Sequence, residues 1–304
     1  MARLDNYNKI SEELILDFDC NAVYNILKIL KLEDNEIYAE IEDSLIKKII
    51  DDILNHNKET IVDKYYNHFK SYSIEKHIIR KGAKFFRARK GYIELENMDS
   101  KQIYKIPFFG KNIAAPPCRV ATEQRFNKAG TSYTYLGDSK ETCFYELRPQ
   151  VGNYISVGNF QLVDDVNAVY INNEKDLSIW YKIITEPACD KPFNYYIVTQ
   201  FLSDIIRKVF DIQVLKYDSI QYDGYNLVCF DNDKLKFVDY SDNLYYVNKS
   251  KNGYKFEKVD DFYDKLIEGK NDIEEVCSKE DWDYNKEYLI RKQNNVGLLP
   301  ENQY

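Results

Sequence analysis

Histidine is scarce in this 304-residue chain. There are three, His56, His68 and His77, and none lies further downstream. A histidine-based nucleophilic triad or a His-rich metal centre is therefore excluded from everything that follows. Cysteine is also sparse and scattered: Cys20, Cys118, Cys143, Cys189, Cys229 and Cys277. No two are close enough for a CxxC pair, so neither a structural zinc site nor a dense disulfide framework is suggested, and no metal is expected. Reduced thiols and a cytoplasmic location are the expectation. No apolar run approaches the ~20 residues that span a bilayer. Met1 to Asn6 lack the apolar region of a signal peptide. Neither a P-loop nor a GxGxxG fingerprint occurs. Glycine and proline are missing from residues 1–80.

Hydrophobic residues make up 44% of the chain, so a packed core can form, and tyrosine is abundant at 27. The net charge of −8 argues against nucleic-acid binding, which rests on phosphate neutralisation. The charge is uneven, however. Residues 81–150 hold 13 Lys and Arg against 7 Asp and Glu, a local net of +6. Such a field attracts a pyrophosphate even in an acidic protein.

Apolar residues at three- and four-residue spacing over Ile10–Phe18, Ala22–Leu32 and Ile37–Leu54 predict helices, and residues 1–80 read as an all-α N-terminal domain. Residues 81–260 read as an α+β catalytic domain, and 261–304 as an acidic, partly helical tail. Within the middle part, strands are expected at 83–89, 131–137, 152–162, 166–171, 227–230 and 235–240. Residues 97–131 hold Pro107, Gly110, Pro116, Pro117 and Gly130, and read as a long functional loop. A helix is expected from Asp138, as cap, to Arg148, with Glu141 closing a capping box. A second helix is expected over 195–210. A hairpin is expected from 245–247 and 254–259 around Lys249–Gly253.

Arg125, Tyr135 and Glu146 stand out in the cationic segment, spaced by ten and eleven residues. An arginine grips phosphate in a bidentate fork. A tyrosine offers a stacking face and a hydroxyl. A glutamate stabilises a developing sugar cation. Together they suit a nucleotide whose N-glycosidic bond is cut, with NAD the obvious candidate. Strand alternation places Arg87 and Arg89 on one face, opposite Phe86 and Ala88, and Arg87 is a candidate second phosphate contact. Asn226 and Asp223 are further candidates for binding the dinucleotide.

The ordered set of segments around these residues resembles the RES domain. It runs through Phe86-Arg87-Ala88-Arg89, Ala115-Pro116-Pro117, Gln124-Arg125-Phe126-Asn127, Thr134-Tyr135-Leu136-Gly137 and Glu141 to Pro149. It continues through Gly152 to Phe160, Tyr196 to Gln200, Tyr217-Asp218 and Asn226 to Phe230. The resemblance covers roughly residues 81 to 245. It implies an ADP-ribosyltransferase-like mixed or antiparallel β core with flanking helices, with Arg125, Tyr135 and Glu146 at the family's functional positions. It further implies NAD as substrate, consumed by hydrolysis or by phosphorolysis with inorganic phosphate. A growth-arrest toxin of a toxin–antitoxin pair or an antiphage defence effector is the implied biology. One departure is visible. The connection Tyr222-Asp223-Gly224-Tyr225 is short, Asp223 stands about where the family's serine is expected, and Ser219 replaces the usual glycine.

The expected activity is cleavage of the nicotinamide N-glycosidic bond. Mono-ADP-ribosylation of a protein and a non-catalytic nucleotide sensor are the alternatives. An antitoxin or regulatory protein and a homodimer are left open as partners; nucleic acid and membrane are not expected.

Overall fold

The computed structural model describes residues 74–97, 100–172, 196–251, 253–259, 276–278 and 282–295, together with 64, 66, 181, 184 and 185. The helices expected within 1–63 lie outside the described residues. What is described is a mixed α+β structure built on one large, mostly antiparallel sheet.

In chain order the strands are β1 (Lys76–Ile79), β2 (Lys84–Lys90), β3 (Ile93–Asn97), β4 (Ile103–Ile106) and β5 (Thr134–Gly137). There follow β6 (Tyr154–Leu162), β7 (Val166–Ile171), β8 (Val214–Asp218), β9 (Tyr225–Cys229) and β10 (Leu235–Phe237). Then come β11 (Asn243–Ser250), β12 (Gly253–Lys258) and β13 (Val276–Ser278). The described helices are α1 (Lys140–Glu146), α2 (Tyr196–Phe210) and α3 (Trp282–Asn295). The large sheet has the order β1-β7-β8-β9-β5-β2-β6-β11-β12, with β10 also on β6; a small sheet has the order β13-β3-β4. Among the described strands only β7 and β8 run parallel, and the connection between them contains α2, as a parallel crossover requires.

Two expectations are corrected. Residues 76–79, read as the end of a helical segment, form an edge strand on β7. The stretch 97–131, read as one long loop, contains β4 and two 3-10 turns, Gly110–Asn112 and Cys118–Val120. The charge-rich sequence of β3 and β4 hides its alternation: Ile93, Leu95, Tyr104 and Ile106 face the core, with Glu94 and Lys105 between them.

The sheet is two half-sheets joined at one seam. β2 pairs with β6 over its whole length, Lys84 to Lys90. It pairs with β5 at one position only, Phe86 opposite Gly137. Beyond that pair the strands part. Side chains then take over from the ladder: Arg87 NH1 donates to the Tyr135 carbonyl at 3.0 Å, and Cys143 Sγ donates to the Phe86 carbonyl at 3.2 Å. These side chains supply the donors that the strand carbonyls must find somewhere.

Alternation along β2 sorts its neighbours. Phe85 enters a core with Ile113, Leu136, Phe160 and Leu227. Phe86 and Ala88 pack on the other face, beneath Phe144 of α1. Gly137 lets α1 approach, since a Cβ there would sit 2.8 Å from Cys143 Sγ. A third cluster ties the small sheet to α3, with Phe109 fully buried and stacked on Tyr288 at 3.8 Å between ring centroids. Among the described residues no helix is long and apolar enough to cross a membrane.

Truncating Phe109 to alanine empties a site with no solvent contact. Unfolding free energy should fall by about 3–5 kcal/mol, seen as a lower urea midpoint with an unchanged slope.

Candidate active site

The parting of β2 from β5 opens a cleft of about 760 Å3, within the ~300–1,000 Å3 of small-molecule sites. Arg87, Arg125, Tyr135, Glu146 and Asn226 all line it. Asp223 does not. It is exposed on the turn between β8 and β9, away from the lining.

Glu146 is the last residue of α1. The helix is shorter than expected at both ends. Ser139, not Asp138, is its N-cap, accepting from the Thr142 amide at 3.0 Å, while Asp138 accepts the Thr142 hydroxyl at 2.6 Å. Leu147 caps the C-terminus. Thr142, one turn before Glu146, is buried, and Glu146 itself is exposed to the cleft. A carboxylate at a helix C-terminus faces the unfavourable end of the dipole. Two donors offset this. Asn226 Nδ2 and Ser219 Oγ both reach Glu146 Oε1, each at 2.7 Å. Oε2 has no protein partner among the described residues and is left for a ligand.

The serine in this arrangement is therefore Ser219, at the end of β8. Its hydroxyl also accepts from the amides of Gln221 and Tyr222 at 3.2 and 3.3 Å, which shapes the short turn. The turn passes close to α1: a Cβ on Gly224 would meet Thr142 Oγ1 at 2.5 Å. Sequence reading treated Ser219 as a departure and looked for the serine at Asp223. The shortened connection moves the hydroxyl upstream, and only the pairing of β8 with β9 brings it to Glu146.

Arg125 sits at the tip of a tight turn closed by Gln124 and Asn127. The turn is pinned on every side. Asn127 Nδ2 donates to the carbonyls of Thr122, Lys128 and Thr131 at 2.8–3.1 Å. Gln200 Nε2, from α2, donates to the carbonyls of Gln124 and Asn127 at 3.1 Å. Thr199 Oγ1 donates to the Arg125 carbonyl, and Arg125 NH1 donates to the Ile184 carbonyl.

Tyr135 belongs to this same network. Its hydroxyl donates to Asn127 Oδ1 at 2.8 Å and accepts from the Phe126 amide at 3.1 Å. Burial drives the phenol well above its ordinary pKa. The hydroxyl is thus committed to the arginine turn, and the ring is what the cleft sees. Of the two features that Tyr135 offers, the hydroxyl is bonded within the turn that carries Arg125.

Arg87 is held by two carbonyls, Ile113 at 2.7 Å through Nε and Tyr135 at 3.0 Å through NH1. Burial lowers its pKa from the usual value to about 10, with the neighbouring Arg89 also lowering it. A guanidinium so placed, with no carboxylate partner among the described residues, is costly until an anion arrives. Arg89 is exposed and lies over the Phe108 ring at 4.7 Å, donating to the Asn112 carbonyl. Its pairing with Arg87 on one face serves to anchor the 112–113 segment.

The lining contains Arg87, Arg89, Lys90, Arg125 and Arg148 but one carboxylate, Glu146. Tyr217, which sequence reading did not single out as a site residue, lies in the wall. Burial raises its pKa, Glu146 raises it further and Arg125 opposes, which places its hydroxyl in the field of both.

Residues 102–247 match the model of the RES domain. This part of the chain is similar to the RES domain. No curated protein matches the chain. The matched range takes in Arg125, Tyr135, Glu146, Ser219 and Asn226. It begins after β2, so Arg87 comes from a strand outside the match that nevertheless forms one wall of the RES-domain cleft.

Replacing Tyr135 with phenylalanine keeps the ring and removes the tie to the arginine turn. Stability should drop by about 1–3 kcal/mol, because the Phe126 amide and Asn127 Oδ1 lose their partner. Affinity for a dinucleotide, measured by calorimetry, should weaken alongside it. A variant that binds as tightly as the parent would overturn the positioning role.

Proposed function

We propose that this RES-domain protein is an NAD-consuming enzyme of ADP-ribosyltransferase-like fold that cleaves the nicotinamide N-glycosidic bond. The observation that carries the proposal is the lone carboxylate of a cationic cleft, Glu146, held through Oε1 by Asn226 and Ser219 with Oε2 left open. The two half-sheets with a cleft at their seam support the fold assignment.

In this reading the immobilised Arg125 binds the pyrophosphate, and Arg87 adds a second positive charge from the opposite wall. The nicotinamide ribose lies against Glu146. As the C1″–N bond breaks, its electron pair leaves with neutral nicotinamide, so no general acid is required. Positive charge develops on the ribose, and the fixed carboxylate stabilises it. Asn226 and Ser219 keep that carboxylate from turning toward the surrounding cations. An acceptor oxygen then closes the C1″–O bond; when the acceptor is water, its second proton passes to Glu146 or to solvent. Draining NAD in this way suits a cytoplasmic growth-arrest toxin or defence effector, restrained by an antitoxin or regulatory protein.

A protein acceptor is the second reading. Ile220 and Tyr222 are exposed on the turn that carries Ser219, and Tyr222 stacks on Tyr145, the neighbour of Glu146, at 5.0 Å. An apolar rim beside the reacting carbon favours docking of a side chain.

The test is nicotinamide release from NAD by the purified full chain. Glu146→Gln should lower the rate about 10²–10³-fold with an unchanged melting temperature. Label from NAD appearing on protein instead of in free ADP-ribose would select the second reading. Binding of NAD with no release by the parent would leave a nucleotide sensor.

A further inference from the structure

The place of Glu146 is set one helical turn earlier. Thr142 lies four residues before it on α1, on the same face, and has no exposed surface. A one-way chain of hydroxyls fixes it. Ser139 Oγ lies 2.8 Å from Thr142 Oγ1, and Thr142 Oγ1 donates to Asp138 Oδ1 at 2.6 Å. An ionised carboxylate only accepts, so the Thr142 proton points to Asp138 and the Ser139 proton to Thr142. Asp138 is itself fastened to β9, its amide donating to the Tyr225 carbonyl at 3.1 Å.

Gly224 lies against this same chain. A Cβ there would sit 2.5 Å from Thr142 Oγ1, and 2.7 and 2.9 Å from the two carboxylate oxygens of Asp138. Backbone conformation does not call for glycine here, since Gly224 is not among the residues of positive φ. Closeness of approach does. The turn to which Gly224 belongs carries both donors to Glu146. The Ser219 amide donates to the Gly224 carbonyl at 2.9 Å, and Asn226 follows two residues later. One contact therefore sets the distance between the helix that carries the carboxylate and the turn that carries its partners.

That distance has little tolerance. Ordinary non-bonded contact begins near 3.4 Å. A methyl group at Gly224 would thus move the turn by roughly 1 Å. The two bonds of 2.7 Å to Glu146 would then pass the ~3.2 Å at which such bonds end. We propose that Thr142 and Gly224 are positioning residues for Glu146. The hydroxyl of one and the missing side chain of the other hold the carboxylate against Asn226 and Ser219. This geometry is independent of what the cleft binds, and only its effect on turnover rests on the NAD-cleaving reading.

The experiment is a pH titration of the Asn226 side-chain amide, followed by NMR in the isotope-labelled full chain. The proteins are the parent, Gly224→Ala, Thr142→Val, Thr142→Ser and Glu146→Gln. In the parent the Asn226 Nδ2 protons should follow ionisation of the carboxylate they touch, and Glu146→Gln should abolish that response. Gly224→Ala and Thr142→Val should abolish it as well. Thr142→Ser keeps the hydroxyl and loses a buried methyl, so it should melt lower yet keep the parental response. A response retained in Gly224→Ala or in Thr142→Val overturns the proposal. So does a response lost in Thr142→Ser, because it then follows packing and not the hydroxyl. A parent without the response lacks the Asn226 bond and overturns it too. Should Gly224→Ala not fold, the two Thr142 variants decide alone. Nicotinamide release gives a separate readout: in Gly224→Ala and Thr142→Val, kcat should fall about 10²-fold at unchanged KM for NAD. A parent that releases no nicotinamide removes the NAD-cleaving reading, and the amide titration still decides the positioning role.

Discussion

One buried guanidinium holds the site open. Where β2 leaves β5, the backbone can no longer satisfy itself, and Arg87 bridges the gap to the Tyr135 carbonyl and to the Ile113 carbonyl. The same group that closes the seam is desolvated and faces the cleft. Its positive charge is therefore both a structural strut and an unmet demand for an anion. Everything around it follows. Tyr135 lends its carbonyl to Arg87 and its hydroxyl to the Arg125 turn, so the two arginines are fixed relative to each other through a single residue.

The electrostatics of the cleft invert those of the whole. A chain of net −8 surrounds a cavity with one carboxylate. That carboxylate sits at the unfavourable end of a short helix and is steadied by neutral donors, Asn226 and Ser219, instead of by the nearby cations. A salt bridge would have neutralised it. Amide and hydroxyl donors orient it and leave its charge in place.

Much of this was readable in one dimension. Arg125, Tyr135 and Glu146 declare themselves by residue type and spacing within a cationic segment, and the strands and helices near them fall close to expectation: β6, β7 and α2 differ by two residues or fewer at either end. β1, β3 and β4 were not legible, because short strands with charged residues between apolar ones look like loop or helix when their partners are far away in sequence. Asn226, a candidate ligand contact by sequence, donates to Glu146. Asp223, a candidate by the same reading, is not part of the cleft lining. Gln200 and Tyr217 fall in segments that carry the resemblance, but their contacts depend on which turn or cavity tertiary packing sets against them.

The sequence alone determined the chemistry on offer: guanidinium groups, an aromatic ring, a carboxylate at Glu146, and no histidine to change that repertoire downstream of residue 77. Residue type dictates this, because donors, acceptors and charges belong to the side chains themselves. Tertiary structure alone decided which of these groups meet. Ser219 reaches Glu146 across 73 positions, Asn226 across 80 and Gln200 reaches the arginine turn across 73 to 76. Such contacts arise from sheet order and register, which the chain specifies only through the whole of its packing.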